Sequence, residues 1–342
     1  MYVQGAKVKV FKYNDGLWPN TAAISWAFGA YVGGIALCLL PTGMLSVLGV
    51  LMLSHAMIIA AYLVHECAHN TIFVSARHNR LLAESLNWIT GALYSPFEAI
   101  RHKHMRHHVD RADVVAYDYR RWVSTASPAV ARWLKRSEAI GFPALEVAMR
   151  LLAIAVPFID PAFAKYRQRV ISVLVARSVF FILLASVSPK FLVLYFVAYL
   201  FCLQVLRFMD AYQHTFTLRD DLYGELTIKG PEPGLDRDYE ERNTFSNPIS
   251  ERFPWLNLLI LNFGYHNVHH RRPTQPWHRL PAQHREFYAN SEQVLMPRET
   301  RASFLRYRRE RLLNEDDPDI GVKRGNAENF IGVDGVSFLI PF

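Results

Sequence analysis

Nine of the chain's 14 histidines fall in four short clusters whose spacing suits metal ligation. The first is His65-Glu66-Cys67-Ala68-His69, with two imidazoles four residues apart and therefore on one face of a helix. The second, His104-Met105-Arg106-His107-His108, and the fourth, His266-Asn267-Val268-His269-His270, share one pattern in which positions one, four and five lie on a common face. The third is Asp210-Ala211-Tyr212-Gln213-His214, which contributes His214. Neutral imidazole is a strong ligand for iron, zinc, copper or nickel, and several imidazoles on one face must be solvated or metal-bound. Any one cluster could be a solvated helix end, and the second, rich in Arg and Lys, could face lipid phosphate. Nine imidazoles brought together exceed what one tetrahedral zinc can use, so the ensemble implies at least two metal ions. His102 lies two residues from His104 and competes with it, but His104 completes the spacing shared with the fourth cluster.

The first cluster also satisfies H-E-x-x-H, the zinc-protease signature in which Glu66 would be the general base. An intramembrane zinc protease would leave the other histidine clusters without a role. A membrane protein that merely binds metal is a third class of reading.

Apolar segments must position these clusters. Residues 21–40 carry no charge, and after the break at Pro41, Thr42 and Gly43 a second apolar stretch, residues 44–64, is interrupted only by His55. Each is about 20 residues, enough to cross a hydrocarbon core of about 30 Å as a helix. A second pair, residues 170–187 and 191–209, is joined by Ser188, Pro189 and Lys190. The pattern predicts an all-α integral membrane protein: four transmembrane helices in two hairpins, interfacial helices and a cytosolic metal-binding cap. Residues 1–20 form a cytosolic N-terminal segment, 21–281 the membrane domain and 282–342 a cytosolic C-terminal segment. The hairpin tips carry one basic residue, Lys190, whereas the other connections are dense in Arg and Lys. The positive-inside rule then places both termini and the histidine clusters in the cytoplasm. Arg177, inside the third span, needs a partner or the surface. Residues 143–163 are broken by Glu146, Arg150, Pro157 and Asp160 and suit a helix lying along the interface. Residues 79–94 suggest another surface helix, and the apolar tip 336–342 has no evident purpose.

Composition agrees with a membrane location, being 51% hydrophobic and 20% charged with a net charge of +8. No nucleic-acid-binding signature accompanies that charge, so a membrane surface is its better partner. Three widely separated cysteines exclude a disulfide scaffold, and Cys67 receives no catalytic role. His55 reads as a hydrogen-bonded packing residue, and His78, His278 and His284 as solvated or interfacial. Asn262 and Asn267 could donate to the ligands, but Asn near a helix end is more often a cap.

The set H-E-C-A-H, H-M-R-H-H and H-N-V-H-H, in this order and set around two hydrophobic hairpins, resembles the membrane fatty acid desaturase and hydroxylase superfamily with its three histidine boxes. The likeness covers about residues 21–281. Around the third box, Gly264-Tyr265-His266-Asn267-Val268-His269-His270 followed by Pro273, Pro276-Trp277 and Leu280-Pro281 is similar to acyl-lipid and sphingolipid-type desaturases. His214 matches the extra histidine such enzymes place after the fourth span. Acyl-CoA desaturases have an Asn four residues before it, and here that position is Asp210, which could act as a ligand through water or as an acceptor fixing a histidine tautomer. The resemblance implies two iron ions held by His65, His69, His104, His107, His108, His214, His266, His269 and His270. It implies dioxygen as co-substrate and hydrogen abstraction from an unactivated C–H of a fatty acyl chain. Desaturation is the favoured outcome, while hydroxylation and oxidative decarboxylation to a terminal alkene begin with related chemistry on the same scaffold.

Such chemistry needs two electrons per turnover, and the chain has no iron–sulfur cysteine spacing, no haem-binding extension and no G-x-G-x-x-G after a strand. An external electron-transfer protein of ferredoxin or cytochrome type is the expected donor. Arg101, Lys103, Arg106, Arg120, Arg121, Arg271 and Arg272 near the boxes could steer an acidic donor, or equally contact anionic lipid headgroups.

Overall fold

A computed structural model describes residues 9–116, 127–211, 213–216, 218–219, 222, 231, 233–288, 295 and 339. Four helices are long and apolar enough to cross a membrane, among the described residues. They are α1 (Leu17–Leu39), α2 (Gly43–Ala68), α7 (Arg167–Val187) and α8 (Lys190–Asp210). Between the two hairpins lie α3 (Ala76–Thr90), α4 (Phe97–Asp110), α5 (Pro128–Ala139) and α6 (Ala144–Ile159). After α8 come α9 (Arg237–Arg242), α10 (His266–Arg271) and α11 (Leu280–Tyr288). The only ladder among the described residues is a two-residue parallel pair, β1 (Asp113–Val114) on β2 (Leu218–Arg219).

Helix α2 is the axis of the molecule. Its small residues Ala56, Ala60, Ala61 and Ala68 are fully buried and let α1, α3 and α8 pack around it. The α1–α2 crossing is closest where Gly34 faces Gly49. A Cβ on Gly34 would stand 2.9 Å from the Gly49 carbonyl oxygen, and one on Gly49 equally close to that of Gly34. At the far end of the hairpins the Lys190 ammonium reaches the Leu40 carbonyl and donates to Ser46 Oγ at 3.0 Å, tying the two tips together. The α2 helix continues past its apolar run through His65 and Glu66 to Ala68, so the first histidine box rides on the span itself.

Helix α3 does more than lie on the surface. Its apolar side, with Ala83, Leu86 and Ile89, is buried and α3 packs on α2, while Arg77 and Arg80 stay exposed. The 16-residue α6 is too short to span and leaves Leu151, Phe158 and Ile159 exposed, as expected of an interfacial helix. Arg177 of α7 finds its partner in Trp88 of α3: the guanidinium donates to the Trp88 carbonyl and lies 5.1 Å from the indole centroid. Leu339 is 1% exposed and belongs to the main core, while the rest of the 336–342 tip lies outside the described residues.

Candidate metal centre

The nine clustered histidines arrive from four directions. Helix α2 brings His65 and, at its C-cap, His69; α4 brings His104, His107 and His108, the segment after α8 brings His214, and α10 brings His266, His269 and His270. They sort into two groups, His65, His69, His104, His108 and His269 in one and His107, His214, His266 and His270 in the other. Within each group the candidate donor nitrogens lie within 4.8 Å of one another. The i, i+3, i+4 spacing of the second and third boxes divides their members between the groups. His104 and His108, one turn apart, face the first, while His107 faces the second. His102 stands in neither.

The rings converge through Nε2. The Nε2–Nε2 separations are 2.6 Å for His69 and His104, 3.0 Å for His108 and His269, 3.1 Å for His107 and His214 and 2.7 Å for His214 and His266. Two imidazoles on one metal at about 2.1 Å place their nitrogens about 3 Å apart when they are neighbouring ligands. Burial, with repulsion from neighbouring rings, holds the pKa of His69, His104, His108, His214, His266 and His270 well below the usual imidazole range. Burial and His65 lower His269 likewise, against Glu66 and Glu240. These rings are therefore neutral at physiological pH, the form that ligates. A neutral ring carries one N–H, and Nε2 of His270 is buried without a hydrogen-bond partner among the described residues. This donor set fits two closely spaced divalent cations.

Two carboxylates that sequence spacing did not single out orient these rings. Glu240 on α9 places Oε1 3.1 Å from His270 Nδ1, while its Oε2 accepts from Arg111 Nε at 3.0 Å and Arg237 Nη1 at 3.1 Å. Asp113 Oδ1 lies 3.2 Å from His107 Nδ1, which also stands 3.1 Å from the Ala112 carbonyl oxygen. A carboxylate on Nδ1 fixes the tautomer and aims Nε2 at the centre. The signal available in the sequence was weak, because Asp113 and Glu240 sit in stretches with no repeated spacing. Asp210, at the end of α8, lines a cavity of about 50 Å³ that opens onto members of both groups. Lys103, Asp113, Gln213 and Phe263 also line it.

Glu66 is tied into the fold: its Oε2 accepts from Thr71 Oγ1 at 2.5 Å and from the Trp277 backbone N–H at 3.2 Å, and its Oε1 lies 3.6 Å from His65 Nδ1. The first box is thereby bolted to the Pro276–Trp277 segment that follows the third. Among the described residues, Asn262 and Asn267 neither cap helices nor donate to the rings. Asn262 Nδ2 donates to the Trp277 carbonyl at 3.3 Å, and Asn267 Oδ1 accepts from Ser246 Oγ at 2.8 Å.

Several sequence expectations need correction. Lys103 and Arg106 are not part of an exposed basic face, being 4% and 3% exposed. Arg106 pairs with Asp110 one turn on. Burial in the cavity wall, opposed by Asp113 and Asp210, pulls the Lys103 pKa down to about 7. Arg101, Arg271 and Arg272 are exposed, while Arg120 and Arg121 lie outside the described residues. His284 is buried against the Tyr265 and Tyr288 rings, and His278 sits 3.4 Å from an Asp15 oxygen, so only His78 of the three is exposed.

Residues 41–301, three quarters of the chain, match the family described as fatty acid desaturase. The chain belongs to that family and is an integral membrane protein of desaturase type with a lipid substrate. No curated protein matches it closely enough to carry a narrower description.

Proposed function

We propose that the chain is an oxygen-dependent fatty acyl desaturase in which each histidine group holds one iron. His65, His69, His104, His108 and His269 would ligate one ion, and His107, His214, His266 and His270 the other. The observation that carries this reading is the pair of adjacent all-histidine groups in a desaturase-family chain. Bound iron would supply dioxygen activation and hydrogen abstraction from an unactivated C–H bond. The protein's own part is to hold the rings neutral, aim them through Glu240 and Asp113, and keep bulk water from them by burial. The cavity beside Asp210 and Phe263 is the place for the reacting stretch of the acyl chain. Electrons come from a separate ferredoxin- or cytochrome-type protein, and the histidine end of the spans faces the cytoplasm.

The test is mass spectrometry of lipids and headspace from cells expressing the wild type or His269→Ala, together with metal analysis of both proteins. A new internal double bond made only by the wild type, with two irons per chain, is the expected result. A hydroxylated acid or an alkene one carbon short would move the assignment to the sister reactions. One zinc per chain with no acyl product would overturn it.

A further inference from the structure

Between Asn247 and Gly264 the chain makes an excursion that leaves and returns at one point. The Asn247 N–H donates to the Gly264 carbonyl at 2.8 Å, and a Cβ on Gly264 would meet the Pro248 Cα at 2.8 Å. Within the excursion lies one short 3-10 segment, Pro254–Ile260. Its depth is set by α2. His55 Nε2 is 3.2 Å from the Leu259 carbonyl oxygen, and His55 Nδ1 accepts from Trp26 Nε1 of α1 at 2.8 Å. His55 precedes the His65 ligand position by ten residues, about 15 Å of helix rise, so Leu259 stands level with the middle of the apolar spans. From Leu259 the chain climbs back beside α2 to Phe263, whose ring packs at 4.4 Å on Tyr62 and 4.9 Å on His65. The return is made in turn backbone: the Leu261 N–H donates to the Leu258 carbonyl at 3.1 Å, the Phe263 N–H to the Ile260 carbonyl at 2.9 Å, and Leu261 and Asn262 stand at φ 49° and 58°.

The outer side of this excursion is apolar and uncovered. Phe253, Trp255, Leu258 and Leu259 are 46%, 65%, 49% and 46% exposed. Its backbone is satisfied from within by Asn257, whose side chain is fully buried: Oδ1 accepts from Ile249 N–H at 2.7 Å and Nδ2 donates to the Ser250 carbonyl at 2.7 Å. Non-helical backbone survives at membrane depth only where its polar groups are satisfied by protein. The charged pair Glu251–Arg252 precedes the apolar run, where headgroups would meet it. Through His55 and Trp26 the patch is continuous with the lipid-facing surface of the first hairpin.

We propose that residues 249–260 form a re-entrant loop inserted into the acyl layer of the bilayer, with lipid chains as the occupant of its exposed face. It would wall the lipid side of the approach to Phe263 and the metal centre. The placement is independent of which reaction the centre performs.

The full-length protein in phosphatidylcholine vesicles provides the test. Trp255→Cys and Leu258→Cys are spin-labelled separately, which is practicable because Cys38, Cys67 and Cys202 are all buried. Collision with oxygen is compared with collision with a water-soluble nickel chelate, using Val179→Cys on α7 as the lipid reference and Arg285→Cys on α11 as the water reference. Both loop labels are expected to match the Val179 position, with high oxygen and low chelate access. Chelate access like that at Arg285, or access to neither reagent as under a covering protein or second copy, would overturn the proposal. If Trp255→Cys fails to fold, Leu258→Cys alone decides.

Discussion

Glu240 concentrates three interactions on one buried carboxylate, and its charge is what makes them compatible. Arg111 and Arg237 donate to Oε2 while Oε1 faces His270 Nδ1, so both oxygens must accept. Glu240→Gln keeps the shape but turns one end into a donor. That end must oppose either the guanidinium groups or the His270 N–H, so one of the contacts that hold this side chain against the ring and aim Nε2 is lost. Loss of such an outer carboxylate lowers metal affinity by roughly 10–100-fold. Dialysis against a chelator should strip metal from Glu240→Gln at concentrations that leave the wild type loaded. Glu241→Gln, which disturbs only the exposed 3.2 Å pair with Arg271, should behave as wild type. Equal metal retention in all three proteins would show that Glu240 serves the fold and not the site. The histidines of this centre are legible in the sequence because box spacing repeats along helices. Glu240 and Asp113 are not: Glu240 reaches its ring only through tertiary folding, and Asp113 across the left-handed turn at Arg111 that ends α4. The burial of Lys103 and Arg106 was hidden for a related reason: they alternate with ligands on α4, and the sequence does not say that the side carrying Lys103, Arg106 and Asp110 is covered while Arg101 and Val109 stay exposed.

At the scale of elements, the first hairpin depends on backbone contact at Gly34 and Gly49, since lipid surroundings offer no hydrophobic drive to hold helices together. Gly34→Ala places a methyl 2.8 Å from Leu53 Cγ and 2.9 Å from the Gly49 carbonyl oxygen, forcing α1 off α2. Overpacking of this kind costs about 1–3 kcal/mol. Gly29→Ala, on the same helix with open space at its Cβ, should be neutral or gain about 0.5–1 kcal/mol from helix propensity. Thermal unfolding in detergent distinguishes them: the midpoint should fall for Gly34→Ala and hold or rise for Gly29→Ala, and a parallel response would refute the close-crossing argument. The four spans were legible because about 20 uncharged residues have few other fates. The continuation of α2 through the first box was legible too, from its i, i+4 histidine pair, whereas the three or four further residues at that end of α1 and α7 were not, because they are partly polar, and α8 ends within one residue of its expected limit. The 249–260 loop was invisible for the opposite reason, since its apolar run is too short to register as a span and its depth is set by a single hydrogen bond to His55.

For the molecule as a whole, the packing that brings nine imidazoles together also makes the metal-free chain sensitive to acid. Seven of these rings outside the spans, at positions 69, 104, 108, 214, 266, 269 and 270, are lowered well below their ordinary value of 6.5. In the unfolded chain each titrates near 6.5, so below that pH the unfolded state binds more protons than the folded one. Stability is therefore fully present above about pH 6.5 and is lost as pH falls toward the depressed folded values. Each ring contributes up to about 1.4 kcal/mol per pH unit in that window. Thermal unfolding of chelator-treated protein should show a midpoint that is flat above about pH 7 and drops steeply between about pH 6.5 and 5. Because cations occupy the same nitrogens, reloading with iron should move the drop to lower pH, as ligation competes with protonation. A metal-free midpoint that stays level through this window would mean that the rings open to water without unfolding, and the buried, preformed centre described here would be wrong.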